Sequence, residues 1–228
     1  MKFPVADLAP VRAALGRAGA EPRGSVLQSD TYFDTPEGTL LTGDRGLRLR
    51  VEKGSGTFSL SPEGHKPGAG ETARTGTIQK RFLTPFAPFA LHDARASMHA
   101  LLTYKGPRQK HGRAKIRREI QTRVEDGAAL AAILTDLGLC RRFVLQKRRQ
   151  SFRLGRCLVE LDELPLLGLF VEIEGTSVAA IESVCRRLAL EGEPVRDSYV
   201  QLTLKACPRA GRRCLEVTFR RCAACRFR

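Results

Sequence analysis

Charged residues recur two apart in five short stretches of this 228-residue chain, each time with apolar residues between or beside them. Arg48 and Arg50 alternate with Leu47, Leu49 and Val51; Lys115, Arg117 and Glu119 share a parity, as do Lys147 and Arg149, Glu160 and Asp162, and Glu172 and Glu174. Successive side chains of a strand point to opposite faces, so each stretch turns its charges one way and its apolar residues the other. Taken singly, such a strand is ordinary, because antiparallel sheets commonly have one solvated face. If the strands belong to one sheet, however, the polar face collects cations and carboxylates together. Enclosed charges persist only when paired or bound, and that mixture suits a metal ion plus a polyanion such as a nucleoside triphosphate.

The rest of the chain reads as many strands and few helices. Asp7 is positioned to cap a helix through Leu8, Val11, Ala14, Leu15 and Ala18, closing near Gly19. Strands are predicted over 26–33, ended by the turn Thr35-Pro36-Glu37-Gly38, and over 46–52. Gly106-Pro107 predicts a turn before a strand over 114–124, and Asp126 caps a helix whose stripe Leu130, Ile133, Leu134 and Leu137 ends at Gly138. Strands over 142–153, 157–163 and 169–174 follow, then a helix capped by Thr176 through Ile181, Val184, Cys185 and Leu188. Short turns between strands predict an antiparallel α+β design.

A formal charge of +15 favours anionic partners. The motif-region cations are interleaved with carboxylates, which argues against a nucleic-acid contact stripe. No apolar h-region opens the chain and no unbroken apolar run could span a bilayer, so the sequence predicts a cytoplasmic protein without membrane attachment. Seven scattered cysteines read as reduced thiols; Cys222 and Cys225 form a CxxC with no second pair or spaced histidine. No role follows for His65, His92, His99 or His111, and no GxxxxGK[ST] loop occurs.

Seven motifs in order carry a family resemblance: QSDTYFDTP at 28–36, LRLR at 47–50, LTYKGP at 102–107, KIRREI at 115–120, LDE at 161–163, LGLFVEIEG at 167–175 and Ser198-Tyr199. Together they resemble the CYTH family, the triphosphate tunnel metalloenzymes, which include class IV adenylyl cyclases, thiamine triphosphatases and inorganic triphosphatases. The wording at 102–107 and 167–175 looks most like the cyclase branch. The resemblance covers roughly 2–51 and 100–204. It implies an eight-stranded antiparallel β-barrel, a tunnel lined by the charged faces, and helices packed outside, as monomer or homodimer. It further implies that Arg48, Arg50, Lys105, Arg117, Lys147 and Arg149 bind a triphosphate, with Lys115 a weaker match. Glu119, Asp162, Glu172 and Glu174 match the positions that bind Mg2+ or Mn2+, with Glu160 weaker. Lys2, Glu172 and Glu174 match catalytic positions. The implied reaction converts ATP to cyclic AMP and pyrophosphate, the alternatives being a triphosphatase or a binding remnant.

Three departures qualify the match. The family opens on ExExK, whose glutamates bind metal; here only Lys2 remains after Met1, so either the chain starts downstream of its natural beginning, the reading we favour, or this form is inactive. Residues 52–98, rich in glycine and without sustained period, read as an irregular insertion in a tunnel domain spanning 1–205. Residues 206–228, rich in Arg and Cys, read as an unstructured tail. Gln121 and Asp197 stand where relatives carry an acid and a base respectively.

Overall fold

In the computed structural model, residues 1–54, 78–80, 99–111, 114–207 and 215–220 are described. Most of 52–98 and of the tail therefore lies outside the described residues. The elements, in chain order, are β1 (Lys2–Val5), α1 (Ala9–Arg17), β2 (Glu21–Asp34), α2 (Thr39–Thr42), β3 (Gly46–Gly54), β4 (Ile78–Lys80), β5 (His99–His111), β6 (Ala114–Val124), α3 (Gly127–Asp136), β7 (Cys140–Leu154), β8 (Cys157–Leu164), β9 (Gly168–Gly175), α4 (Val178–Arg187), α5 (Tyr199–Ala206) and β10 (Leu215–Val217).

One sheet runs in the order β1-β9-β8-β7-β2-β3-β5-β6-β4, with every neighbouring pair antiparallel. Eight of these strands form the main sheet and β4 adds three residues at the edge. The long strand β7 pairs with β8 through 148–154, and over 143–145 that same edge is taken by β10, which runs parallel to it. Asp197, just before α5, accepts a hydrogen bond from Lys2 of β1 and acts electrostatically on Arg108 of β5. Distant parts of the strand order thus approach one residue, and the sheet curls, barrel-like, around its polar face. Among the described residues, β1 and β4 are not paired with each other.

The apolar face is covered from outside. Val159, Leu161, Val171 and Ile173 of β8 and β9 pack with Phe3, with Val11 and Leu15 of α1, and with Ile181 and Val184 of α4. Phe33, Leu49 and Ala100 pack with Leu134 of α3. Gly175 is needed for the close approach of α4: an added Cβ would lie 2.8 Å from Cys157 Sγ and 3.0 Å from Ile181 Cγ1. Overpacking a rigid core is destabilising, so Gly175→Ala is expected to cost about 1–3 kcal/mol, measured by denaturant unfolding.

Several local expectations are met and others corrected. Asp126 caps α3, accepting from the N–H groups of Ala128 and Ala129 at 2.9 Å, and Gly138 ends it at φ 88°. The predicted stripe does not all face the core: Leu134 is buried, whereas Ile133 and Leu137 are 53% and 73% exposed. The helix is apolar nearly all round, so periodicity could not say which side met the sheet. Ser177, not Thr176, caps α4. Gly106-Pro107 stays within β5, which absorbs it as a register shift between Lys105 and Arg108. Within the stretch read as an unstructured tail, Leu215 and Val217 are buried against Phe143, Leu145 and Val200. Two apolar residues of one parity suffice for that contact, and the surrounding arginines obscured them. Cys140, Cys157, Cys185 and Cys207 are free thiols. Among the described residues no helix is long and apolar enough to cross a membrane.

Candidate functional site

Antiparallel partners directly opposite each other project to the same face, so the strand register assembles the polar belt. Lys2 stands opposite Glu172, and Glu172 opposite Glu160. Asp162 stands opposite Arg149, Lys147 opposite Gln28, Gln28 opposite Glu52, and Asp30 opposite Arg50. Tyr32 faces Arg48, Arg48 faces Thr103, Thr103 faces Gln121, and Lys105 faces Glu119. Lys2, Arg48, Arg50, Lys147, Arg149, Asp30, Glu160 and Asp162 are all buried. A solvated outer face would not bury these groups, so the polar face lines an interior.

Three groupings make up the belt. Around β7 to β9, Arg149 donates from Nε and Nη2 to the two Asp162 oxygens, each at 2.6 Å, and from Nη2 to Glu172 Oε2 at 3.0 Å, while Nη1 is ion-paired with Glu160. Lys147 Nζ reaches Asp162 Oδ2 at 3.4 Å, and the Tyr199 hydroxyl donates to that oxygen at 2.8 Å. Lys2 Nζ donates to the Asp197 carbonyl at 3.1 Å and lies 3.7 Å from the centre of the Tyr199 ring. On β2 and β3, Arg50 clamps Asp30 through Nε and Nη2 at 2.6 and 2.8 Å. Arg48 lies 3.6 Å from Asp30 and donates to Thr103 Oγ1 at 3.3 Å. On β5 and β6, Lys105 pairs with Glu119 at 2.9 Å, and Arg108 and Arg117 flank Asp44 at 2.8 and 3.8 Å.

The electrostatics follow from burial and pairing. Burial raises Asp30, but Arg50 and Arg48 outweigh it and hold the carboxyl below its ordinary range; Lys147 and Arg149 do the same for Asp162, and Arg149 and Lys2 for Glu172. Burial and the Arg149 charge lower the Lys147 ammonium to about 8 against the pull of Asp162. Glu160 moves the other way, to about 7, because burial and the carboxylates of Glu174, Asp162 and Glu172 outweigh Arg149. Between its ordinary value near 4.5 and about 7, folded Glu160 keeps a proton that the unfolded chain releases, so its contribution to stability falls as pH rises through that window. The gain in melting temperature from Glu160→Gln is therefore expected to be larger, by roughly a few degrees, at about pH 8 than at about pH 5.

The six basic residues predicted to bind triphosphate all lie in the belt, with Arg117 and Lys105 on the β5–β6 side. The four predicted metal ligands divide. Glu119 is taken up by Lys105, and Asp162 by Arg149, Lys147 and Tyr199. Among the described residues no group of three or more Asp, Glu, His or Cys converges to hold a metal ion. Glu172, which Arg149 engages through Oε2, and the exposed Glu174 lie two apart on β9. Magnesium is commonly held by one or two carboxylates with phosphate oxygens and water completing the shell. The donor set thus fits an ion shared with a bound phosphate and not a cage made by protein alone. Sequence reasoning gave no site role to Asp30 and Tyr199, although both lie within the motifs of the resemblance. Asp30 has the parity of Gln28 and Tyr32 and could have been found by extending the alternation into β2; nothing local marks the Tyr199 hydroxyl as a partner of Asp162.

A curled antiparallel sheet that buries cations and carboxylates on its concave side, with helices outside, is the architecture of a tunnel fold. The CYTH domain model matches residues 1–182, and the chain belongs to the CYTH family, whose members are enzymes that act on triphosphates with divalent metals. No curated protein matches. Similar solved structures include PH1819 from Pyrococcus horikoshii OT3, with 22% identity, TM-score 0.61 and coverage of 90% of this chain and 94% of that one. A candidate adenylate cyclase from Vibrio parahaemolyticus has 17% identity and TM-score 0.60 over 89% and 95% of the two chains. The candidate adenylyl cyclase HpAC1 from Hippeastrum, whose dominant activity is that of a triphosphatase, has 13% identity and TM-score 0.53 over 90% and 92%. At these identities the likeness is one of fold.

Proposed function

We propose that the protein binds the triphosphate of ATP in its tunnel and converts it to cyclic AMP and pyrophosphate. The observation that carries this reading is the burial of Arg48, Arg50 and Lys147 on the concave face, the face that Lys105, Glu172 and Glu174 share by strand register. A nucleoside triphosphate brings about four negative charges, which guanidinium and ammonium groups neutralise through charge-assisted hydrogen bonds. In the cyclase reaction the ribose 3′-hydroxyl oxygen bonds to the α-phosphorus and gives up its proton to solvent, while the bond from that phosphorus to the oxygen bridging it to the β-phosphorus breaks and pyrophosphate leaves with that oxygen. Arg48, Arg50 and Lys105 bind and orient the phosphates and stabilise the charge that gathers on pyrophosphate. Glu172 and Glu174 would hold a divalent ion jointly with phosphate oxygens; when bound, it supplies Lewis-acid polarisation and eases deprotonation of the attacking hydroxyl.

Hydrolysis of the terminal phosphate is the second reading, and α5 favours it. Val200 packs on Phe143 and Leu145, and Tyr199 lies against Asp162 and Lys147, which fills concave space that a nucleoside would otherwise use. A product assay with ATP, inorganic triphosphate and thiamine triphosphate, each with Mg2+ or Mn2+, separates the two. Cyclic AMP with pyrophosphate supports the cyclase, orthophosphate release supports the triphosphatase, and no product from any substrate contradicts both. Glu172→Gln is expected to lower turnover by roughly 100-fold or more while leaving triphosphate affinity within about threefold.

A further inference from the structure

Along β3 the concave face changes sign. Arg48 and Arg50 are followed, two residues on and with the same parity, by Glu52. On β2, Tyr32 and Asp30 stand across from the two arginines and Gln28 across from Glu52. Gln28 is 4% exposed; its Nε2 donates to Glu52 Oε1 at 2.7 Å, whereas its buried Oε1 has no hydrogen-bond partner among the described residues. Lys147, which flanks Gln28 from β7, turns instead to Asp162. Glu52 fixes the orientation of the amide, since the flipped form would set two acceptor oxygens against each other. A buried acceptor without a partner calls for a bound group that donates to it. A run of phosphates is not that group: its ionised oxygens accept and do not donate, and the Glu52 carboxylate repels them. A strand advances about 3.4 Å per residue, so Gln28 and Glu52 lie roughly 7 Å beyond the level of Arg50. The end of the face at Tyr32 is taken by α5, where Val200 and Tyr199 pack with Tyr32, Phe143 and Leu145.

We propose that Gln28 is a specificity-determining residue, whose amide oxygen, held in place by Glu52, accepts a hydrogen bond from a ribose hydroxyl of a nucleoside triphosphate. The assignment rests on the ATP-binding reading above and deepens it by giving the substrate a direction, with the phosphates at the arginines of β3 and the sugar toward Gln28 and Glu52. A ribose hydroxyl is the fitting donor because, in a nucleotide, the sugar is the first group beyond the α-phosphate. A neutral amide oxygen orients a hydroxyl without removing its proton, so Gln28 binds and does not act as a base. Inorganic triphosphate carries no such donor and gains nothing from this contact.

The test is calorimetric titration of the full chain, in buffer without divalent metal, with ATP, the 2′,3′-dideoxy analogue of ATP, and inorganic triphosphate. The unaltered chain is expected to bind ATP roughly 3- to 10-fold more tightly than the dideoxy analogue, the effect of one hydrogen bond to a buried acceptor. Gln28→Met, similar in shape but without the acceptor, is expected to erase that difference and to bind inorganic triphosphate within about twofold of the unaltered chain. The comparison of the two nucleotides needs no substitution, so it decides the matter even if Gln28→Met folds poorly. Equal binding of ATP and its dideoxy analogue by the unaltered chain, a difference that survives in Gln28→Met, or an equal loss of all three ligands in that variant would overturn the assignment while leaving tunnel binding intact. Failure of the unaltered chain to bind any of the three would overturn both.

Discussion

Replacing Arg48 and Arg50 together with Ala, in a chain that also carries Asp30→Asn, is expected to remove measurable triphosphate binding. Both guanidiniums lie on β3, face the same interior and, among the described residues, are ion-paired with Asp30 alone. Hydrogen bonds to charged groups contribute about 1.5–3 kcal/mol each, so losing two such donors weakens binding by roughly 100- to 10,000-fold. Asp30 is changed alongside because the arginine losses would leave it buried and bare, and misfolding would then imitate lost affinity. Asp30→Asn alone keeps both cations and is expected to bind triphosphate at least as well as the unaltered chain. Calorimetry on the three proteins reads the difference directly. Unchanged affinity in the triple variant would remove β3 from the binding face.

The largest stability effect is expected from Asp162→Ala. This carboxylate is wholly buried; it takes two hydrogen bonds from Arg149 and one from Tyr199, with Lys147 at 3.4 Å. Its removal leaves Lys147 without its carboxylate partner, Arg149 with Glu160 and Glu172 alone, and the half-buried Tyr199 hydroxyl without its acceptor. Breaking one side of such a group costs about 3–5 kcal/mol, a large share of the roughly 5–15 kcal/mol that holds a domain folded. For a chain of this size that corresponds to a melting temperature lower by about 6–20 °C. Because Asp162 is held below its ordinary range, its contribution is present above the unfolded carboxylate value and is lost only as pH falls through the lower folded one. The gap between the unaltered chain and Asp162→Ala is therefore expected to narrow in strong acid.

The alternation of charge along single strands made the lining legible from sequence: Arg48 and Arg50, Lys147 and Arg149, Glu160 and Asp162, Glu172 and Glu174 all carry the parity of the concave face. Strand existence was legible for the same reason, and the cap at Asp126 because capping is local. What periodicity could not supply was the partner of each charge. Arg50 finds Asp30 20 residues away, Arg149 finds Asp162 13 away across a hairpin, and Tyr199 finds Asp162 37 away through α5. Those pairings depend on strand order and register, which are properties of the assembled sheet. The helix α3 teaches the complementary lesson: Leu134 and Leu137 look alike in the sequence, and only the position of the sheet decides that one is covered and the other exposed.

The claim at the centre of this account is that the buried cationic belt recognises a run of phosphates. Calorimetric titration of the unaltered chain with orthophosphate, pyrophosphate and inorganic triphosphate tests it most directly. Affinity that climbs steeply with each added phosphate, as successive cations on β3, β5 and β7 are engaged, is the predicted result. Equal and weak binding of all three, or none, would contradict it.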